Sequence, residues 1–168
     1  MAGRLKRTRN PSTPTGIMRT MAAVVATWSV SELALTLARQ LLAATRGPAD
    51  QVGFTVVDWI RQNVRYTHEE PEVIVGLGPL LELGAGDCDD MAAAVASLLL
   101  PLGWQVLWAI GWRGAEPVHV WALGRPPGRG SWQHLDPSIT LPAGSSPEEL
   151  GDLTGSTVHY LDGRGVTR

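Results

Sequence analysis

The order of the chain predicts an α+β domain, with helices first, antiparallel strands after, and a buried helix between them packed on the sheet. Three observations carry this. Residues 29–65 hold two stretches whose apolar side chains recur at three- and four-residue steps. Met91 to Leu100 is apolar nearly all round, which suits a helix with no solvent face. After Gly103 the texture changes to β-rich runs broken by turn signals. At 168 residues the chain can bury a core without disulfides or metal.

Arg4, Lys6, Arg7 and Arg9, followed by Pro11, Pro14 and Gly16, read as a flexible basic arm over residues 1–20. A single domain over 21–168 follows. The arm suits solvent or a partner protein better than it suits nucleic acid. Arg19 and then Met21 to Val30 imitate a signal peptide. The apolar stretch is short, carries Thr27 and Ser29, and lacks a small-x-small cleavage site, so no leader is expected. It is also too short to span a bilayer. Ser29-Val30-Ser31-Glu32 reads as a capping box with Ser29 as N-cap. It introduces a helix carrying Leu33, Leu35, Leu37, Leu41 and Leu42 that Gly47-Pro48 ends. A second helix is expected from about Asp50 to Arg65, built on Phe54, Val57, Trp59, Ile60 and Val64.

Tyr66 to Leu83 reads mostly as loop, punctuated by Pro71, Gly76, Gly78 and Pro79. The third helix starts near Cys88 and stops at Pro101-Leu102-Gly103. Trp104 to Trp112 and Val118 to Leu123 read as strands joined by a turn at Arg113 to Pro117. Ser131 to Asp136 is a third strand after the loop Arg125 to Gly130. The tail from Thr140 is rich in Gly, Pro and Ser, with a last short strand around Thr157 to Leu161. A formal charge of −2 and a pI near 6.1 give no overall pull towards nucleic acid or an anionic membrane. One cysteine excludes an internal disulfide and any multi-cysteine zinc site, and gives no sign of an oxidising compartment. Seven Trp against one Phe and two Tyr suggest core or cleft walls.

That one cysteine, Cys88, sits in Gly86-Asp87-Cys88-Asp89-Asp90 at a helix start. Such a position points unpaired N–H groups and positive partial charge at the thiol, favouring thiolate and offering a backbone donor to an oxyanion. Asp87, Asp89 and Asp90 oppose this, since carboxylates disfavour a neighbouring negative sulfur. An imidazolium partner therefore matters, and His119 in Val118-His119-Val120-Trp121 can supply it. Strand alternation puts His119 and Trp121 on one face, and Trp132, His134 and Asp136 on one face of the next strand. If the two strands are neighbours, Asp136 reaches His119 and fixes its tautomer. Cys88 as nucleophile, His119 as base and Asp136 as orienter is the arrangement these residue types suit.

His134 is a weaker alternative base, while His68 and His159 read as ordinary loop or surface residues and Glu69-Glu70 as a solvated face. The second oxyanion donor stays open among Gln51, Gln62, Asn63 and a Trp indole. Cys88, His119 and Asp136 could hold zinc by type, but their elements fit a thiol site better. An Asp87-Asp89-Asp90 calcium loop lacks the required Gly and distal Glu. No metal and no cofactor are expected.

Gly-Asp-Cys-Asp-Asp before a small-residue helix, then His-Val-Trp, then Leu-Asp-Pro, resembles the transglutaminase-like superfamily of papain-type cysteine enzymes. Asp58 to Tyr66 is similar to that family's helix ahead of the active site, so the likeness runs from about Val52 to Pro137. The Cys motif is its specific part and is similar to small members encoded in phage and prophage genomes. The resemblance implies a papain/transglutaminase-like fold with Cys88, His119 and Asp136 as the triad. It implies a thiol-dependent hydrolase or acyltransferase acting on amide or peptide bonds of a peptide or protein substrate. Some members serve as binding or assembly modules, so the alternative is a non-catalytic assembly component docking on phage structural proteins. A cytoplasmic or virion-associated location follows from either reading, with no membrane or nucleic-acid partner.

Overall fold

In the computed structural model, residues 13–68, 73–128, 130–139, 155–160 and 165–167 are described. Helix α1 (Pro14–Trp28) begins where Thr13 caps it, its hydroxyl accepting the Gly16 N–H at 3.2 Å, with Pro14 at the first helical position. Met18 and Met21 are fully buried. The second half of the stretch read as a basic arm is therefore helix, and residues 1–12 lie outside the described residues. The Arg-rich start obscured this, because the buried methionines sit behind polar neighbours.

Helix α2 (Glu32–Ala44) is capped by Ser31, whose Oγ accepts the Ala34 N–H at 3.1 Å. Ser29, expected as the cap, instead ends α1, donating its N–H to the Val25 carbonyl at 2.8 Å. Both serines satisfy the local rule, and the end of the preceding helix decides between them. The two helices meet at 82°, and among the described residues no single helix is long and apolar enough to cross a membrane. A 3-10 turn at Ala49–Gln51 leads into helix α3 (Val52–Asn63).

The span read as loop contains helix α4 (Leu77–Leu83), ended by Gly84 in the left-handed region at φ 62°. Pro79 is tolerated because first-turn N–H groups have no intrahelical partner. Its glycines are set by space: a Cβ on Gly76 would lie 1.8 Å from Trp28 Nε1, and one on Gly78 would lie 2.3 Å from Trp28 Cη2. The indole at the end of α1 thus lies flat on the start of α4. Glu69 and Glu70 fall outside the described residues.

Helix α5 (Cys88–Leu99) is buried at every residue from Asp89 onward. It packs against all four other helices and against the sheet. The main sheet has the order β5-β4-β3-β6-β7, antiparallel throughout, from β3 (Gln105–Arg113), β4 (Glu116–Arg125), β5 (Gln133–Leu135), β6 (Gly155–Tyr160) and β7 (Gly165–Thr167). Two residues, Gly114 at φ 63° and Ala115, turn β3 into β4. A separate parallel ladder joins β1 (Arg65–Tyr66) to β2 (Ala85–Gly86). The α+β arrangement with a central helix on an antiparallel sheet is as the sequence predicts. Residues 140–154 and Leu161 lie outside the described residues.

Because Trp28 occupies the space over Gly76, the change Gly76→Ala should destabilise the domain by about 1–3 kcal/mol, the usual cost of overpacking. A thermal melt reads this as a drop of several degrees, and an unchanged midpoint would show the indole free to move aside.

Candidate active site

The short β1–β2 ladder delivers the chain to Cys88. Tyr66 pairs with Gly86, and the Thr67 N–H donates to the Gly86 carbonyl at 2.9 Å. Asp87 then caps α5 and forms a capping box with Asp90, whose Oδ2 accepts the Asp87 N–H at 3.4 Å. Asp90 Oδ1 accepts the Val75 N–H at 2.7 Å, so this carboxylate is spent on backbone. Cys88 is the first residue of the helix and partly buried.

Its sulfur meets the backbone of Val120, the residue after His119 on β4. That bond lowers the thiol pKa, but burial first, then Asp89 and Asp87, push it well above its usual range. These surroundings favour the neutral thiol. The helix-start effect expected from the sequence is outweighed by desolvation and by the aspartates. Asp87, Asp89 and Asp90 are all buried, and their nearest carboxylate oxygens lie within 4.8 Å of one another. Among the described residues this is the only set of His, Cys, Asp or Glu that converges as a metal site would; Cys88, His119 and Asp136 do not form one.

β4 pairs regularly with β3 from Arg125 to His119, then slips: Gly111 faces His119 and Trp112 faces Pro117, leaving Val118 as an extra residue. A bulge of this kind bends a strand and re-aims its side chains. β5 is the neighbour of β4, pairing Leu135 with Ala122, so Asp136 emerges beside His119. His119 Nε2 lies 2.6 Å from Asp136 Oδ2, with little of either side chain exposed. Nδ1 is thereby left as the ring nitrogen for any other partner. No hydrogen bond joins the Cys88 sulfur to His119 among the described residues.

Trp121 walls the site. Its ring stacks on His119 at 5.7 Å and 20°, and meets its other neighbour, His134, at a tilt of 39° with the centroids 5.5 Å apart. His134 Nε2 lies 3.8 Å from the same Asp136 oxygen that takes His119, so the alternative base belongs to the cluster. The second oxygen, Oδ1, accepts from Ser138 twice, from its N–H at 2.9 Å and its hydroxyl at 2.6 Å. Burial alone would raise the Asp136 pKa; the His119 and Ser138 bonds outweigh it and hold the carboxyl below its usual range.

Two further side chains belong here that sequence reasoning did not single out as site residues. Tyr66 is raised to about 12 by partial burial and then by Cys88, Asp87, Asp136 and Asp89, which places its phenol in the field of the same groups. Arg61 of α3 donates from Nε to the Pro137 carbonyl at 3.1 Å and from Nη2 to the Asp136 carbonyl at 2.6 Å, and to the Ile139 carbonyl. The run Asp136-Pro137-Ser138 carries an Asx-turn signal that points to Ser138. Nothing in the sequence pairs Arg61 with carbonyls more than seventy residues away. Of the oxyanion candidates, Gln51, Gln62 and Asn63 are exposed, and Asn63 Nδ2 is used by the Trp59 carbonyl at 2.7 Å. The Trp121 indole N–H is buried, with no acceptor among the described residues. His68 is exposed. The side chain of His159 lies outside the described residues.

Comparison with known proteins agrees with this fold. The chain is similar in structure to a provisionally named cysteine protease from Cytophaga hutchinsonii, with a TM-score of 0.55 and 15% identity over 81% of this chain and 51% of that one. It is also similar to a provisionally named protease from Parabacteroides distasonis ATCC 8503, with a TM-score of 0.57 and 15% identity over 96% of this chain and 35% of that one. The chain therefore spans about half of the first and a third of the second, and at this identity the likeness is one of fold. No curated protein matches the sequence. The family model of the transglutaminase-like superfamily matches residues 35–137, more than half of the chain, from within α2 to Pro137. With the buried Cys88 helix, the antiparallel sheet and that match together, the chain belongs to the transglutaminase-like superfamily.

Proposed function

We propose that the protein is a thiol-dependent hydrolase or acyltransferase acting on amide or peptide bonds of a peptide or protein substrate. The observation that carries this is the 2.6 Å pairing of His119 Nε2 with a buried, ionised Asp136, beside a helix-terminal cysteine. An Nε2–H donated to Asp136 leaves Nδ1 as a base. On substrate binding the Cys88 thiol gives its proton to Nδ1 and the sulfur attacks the carbonyl carbon, forming a tetrahedral oxyanion. His119 returns the proton to the leaving amine, the C–N bond breaks and a thioester remains. Water or an acceptor amine then attacks the thioester, His119 takes the incoming proton, and Cys88 leaves as thiol. The Cys88 N–H is one oxyanion donor. The Tyr66 phenol, held protonated by its surroundings, is the second in this reading.

The neutral, acid-crowded thiol is the observation that favours the other reading, a non-catalytic assembly component such as a phage-particle protein. The two separate in one experiment. Incubated with a panel of fluorogenic peptides and glutamine amides and quenched in acid, the intact chain should gain the mass of an acyl group, and Cys88→Ala should not. A folded chain that never acylates across the panel favours the assembly role. Tyr66→Phe should lower kcat on a reactive member by roughly 10²-fold or more, the scale of one lost oxyanion donor, with KM little changed.

Cys88 should react with iodoacetamide at pH 7 more slowly than a free thiol and accelerate only in strong alkali, because its raised pKa keeps the thiolate scarce. Rapid alkylation at neutral pH would contradict that electrostatic picture. Asp136 has the opposite sign. Its lowered pKa contributes stability that is present above the ordinary value of 3.8 and lost as pH falls through the lower folded value. Asp136→Asn should therefore melt below the unmodified chain near pH 7, with the gap closing below pH 4; a constant gap would show that the carboxylate charge contributes nothing.

A further inference from the structure

Arg61 lies on α3, outside the set of groups that would touch a substrate, yet its guanidinium is spent on a single turn of chain. Three carbonyls, of Asp136, Pro137 and Ile139, converge on it. Its only charged neighbour in the described structure is Asp58 at 3.6 Å, one helical turn back and largely exposed, a pairing of small energetic weight. The turn gathered by Arg61 is the one that folds Ser138 back over Asp136, so that both Ser138 donors occupy Oδ1. With Oδ1 doubly filled, Oδ2 is the oxygen presented to His119 Nε2.

We propose that Arg61 is a positioning residue, fixing the rotation of the Asp136 carboxylate and through it the Nε2–H tautomer of His119. This rests on the proposed role of His119 as base only in that the tautomer then matters for proton transfer; the structural chain from Arg61 to the imidazole stands by itself. A rigid planar fork suits this task. A lysine ammonium at the same place is a point charge on a flexible stem and cannot meet three carbonyls in one plane. The geometry beside His119 includes Asp136, His134 and Trp121, with Cys88, Asp87, Asp89 and Tyr66 in the same electrostatic neighbourhood.

The test uses the full chain labelled with ¹⁵N at histidine, and long-range ¹H–¹⁵N spectra recorded across pH. The His119 signals are assigned by their loss in His119→Gln. In the native chain, neutral His119 should be predominantly protonated on Nε2. In Arg61→Lys, and more strongly in Arg61→Gln, the tautomer ratio should shift at least about threefold towards Nδ1–H as the carboxylate loosens. Asp136→Asn sets the limit of this change. Variants that melt lower while the His119 tautomer stays as in the native chain would overturn the proposal and leave Arg61 a merely structural clamp. Should the Arg61 variants fail to fold, Ser138→Ala removes the shorter of the two bonds that hold Oδ1; an unshifted His119 there overturns the proposal equally. Because the spectra need no turnover, a chain that never acylates yet shows the Arg61 effect sinks the catalytic reading and keeps this one. Normal acylation with no Arg61 effect does the reverse.

Discussion

A helix with no exposed face dictates most of this structure. From Asp89 to Leu99 nothing on α5 reaches solvent, so α1, α2, α3 and α4 cover one side of it and β3 and β4 the other. Its alanines at 92, 93, 94 and 96 let those covers approach closely, and close-packed interiors resist sliding or rotation of one element against another. The residue at the helix start, Cys88, is consequently held in place by the packing of its helix as well as by its sulfur's bond to the Val120 backbone. The local ladder between β1 and β2 and the capping box at Asp87 complete the restraint.

Charge at the site is divided between two oppositely tuned groups. Cys88 is pushed towards its neutral form by burial and by the aspartates around it, while Asp136 is held ionised by His119 and Ser138. The surroundings thus favour the proton on sulfur and the negative charge on the carboxylate behind the imidazole. Groups this close titrate as a set, so the behaviour of the thiol belongs to the cluster and not to the cysteine alone. Any partner that brings positive charge or a polarised carbonyl to the sulfur acts against a desolvation cost the fold has already imposed.

The fold class, the strand bearing His119 and the strand that ends just before Asp136 were legible because period-two alternation and turn residues mark them directly. The same alternation, continued through Val118, misses the bulge, since an extra unpaired residue leaves no trace in polarity. Helix α4 was invisible for a different reason: Gly76, Gly78 and Pro79 spell loop, and only the Trp28 ring pressed on them explains the glycines. The choice of Ser31 over Ser29 as cap depended on where the previous helix stops. Ser138 had a local signal beside Asp136. Arg61 had none, because its partners are main-chain carbonyls, which every residue possesses.

The order of elements has a bearing on how the chain is made. During synthesis α1 to α4 emerge before α5, so the most apolar segment of the protein appears when half of its cover is already built. Domains made from the N-terminus outward can bury such a segment at once, shortening the interval in which it can aggregate. The other half of the cover, β3 and β4, follows directly after α5 and closes by the two-residue turn at Gly114 and Ala115, a local step on the microsecond scale. The reverse order, strands first and α5 last, would leave an unpaired sheet face waiting for its helix. As the chain runs, the waiting surface is a helical one whose backbone groups are already satisfied.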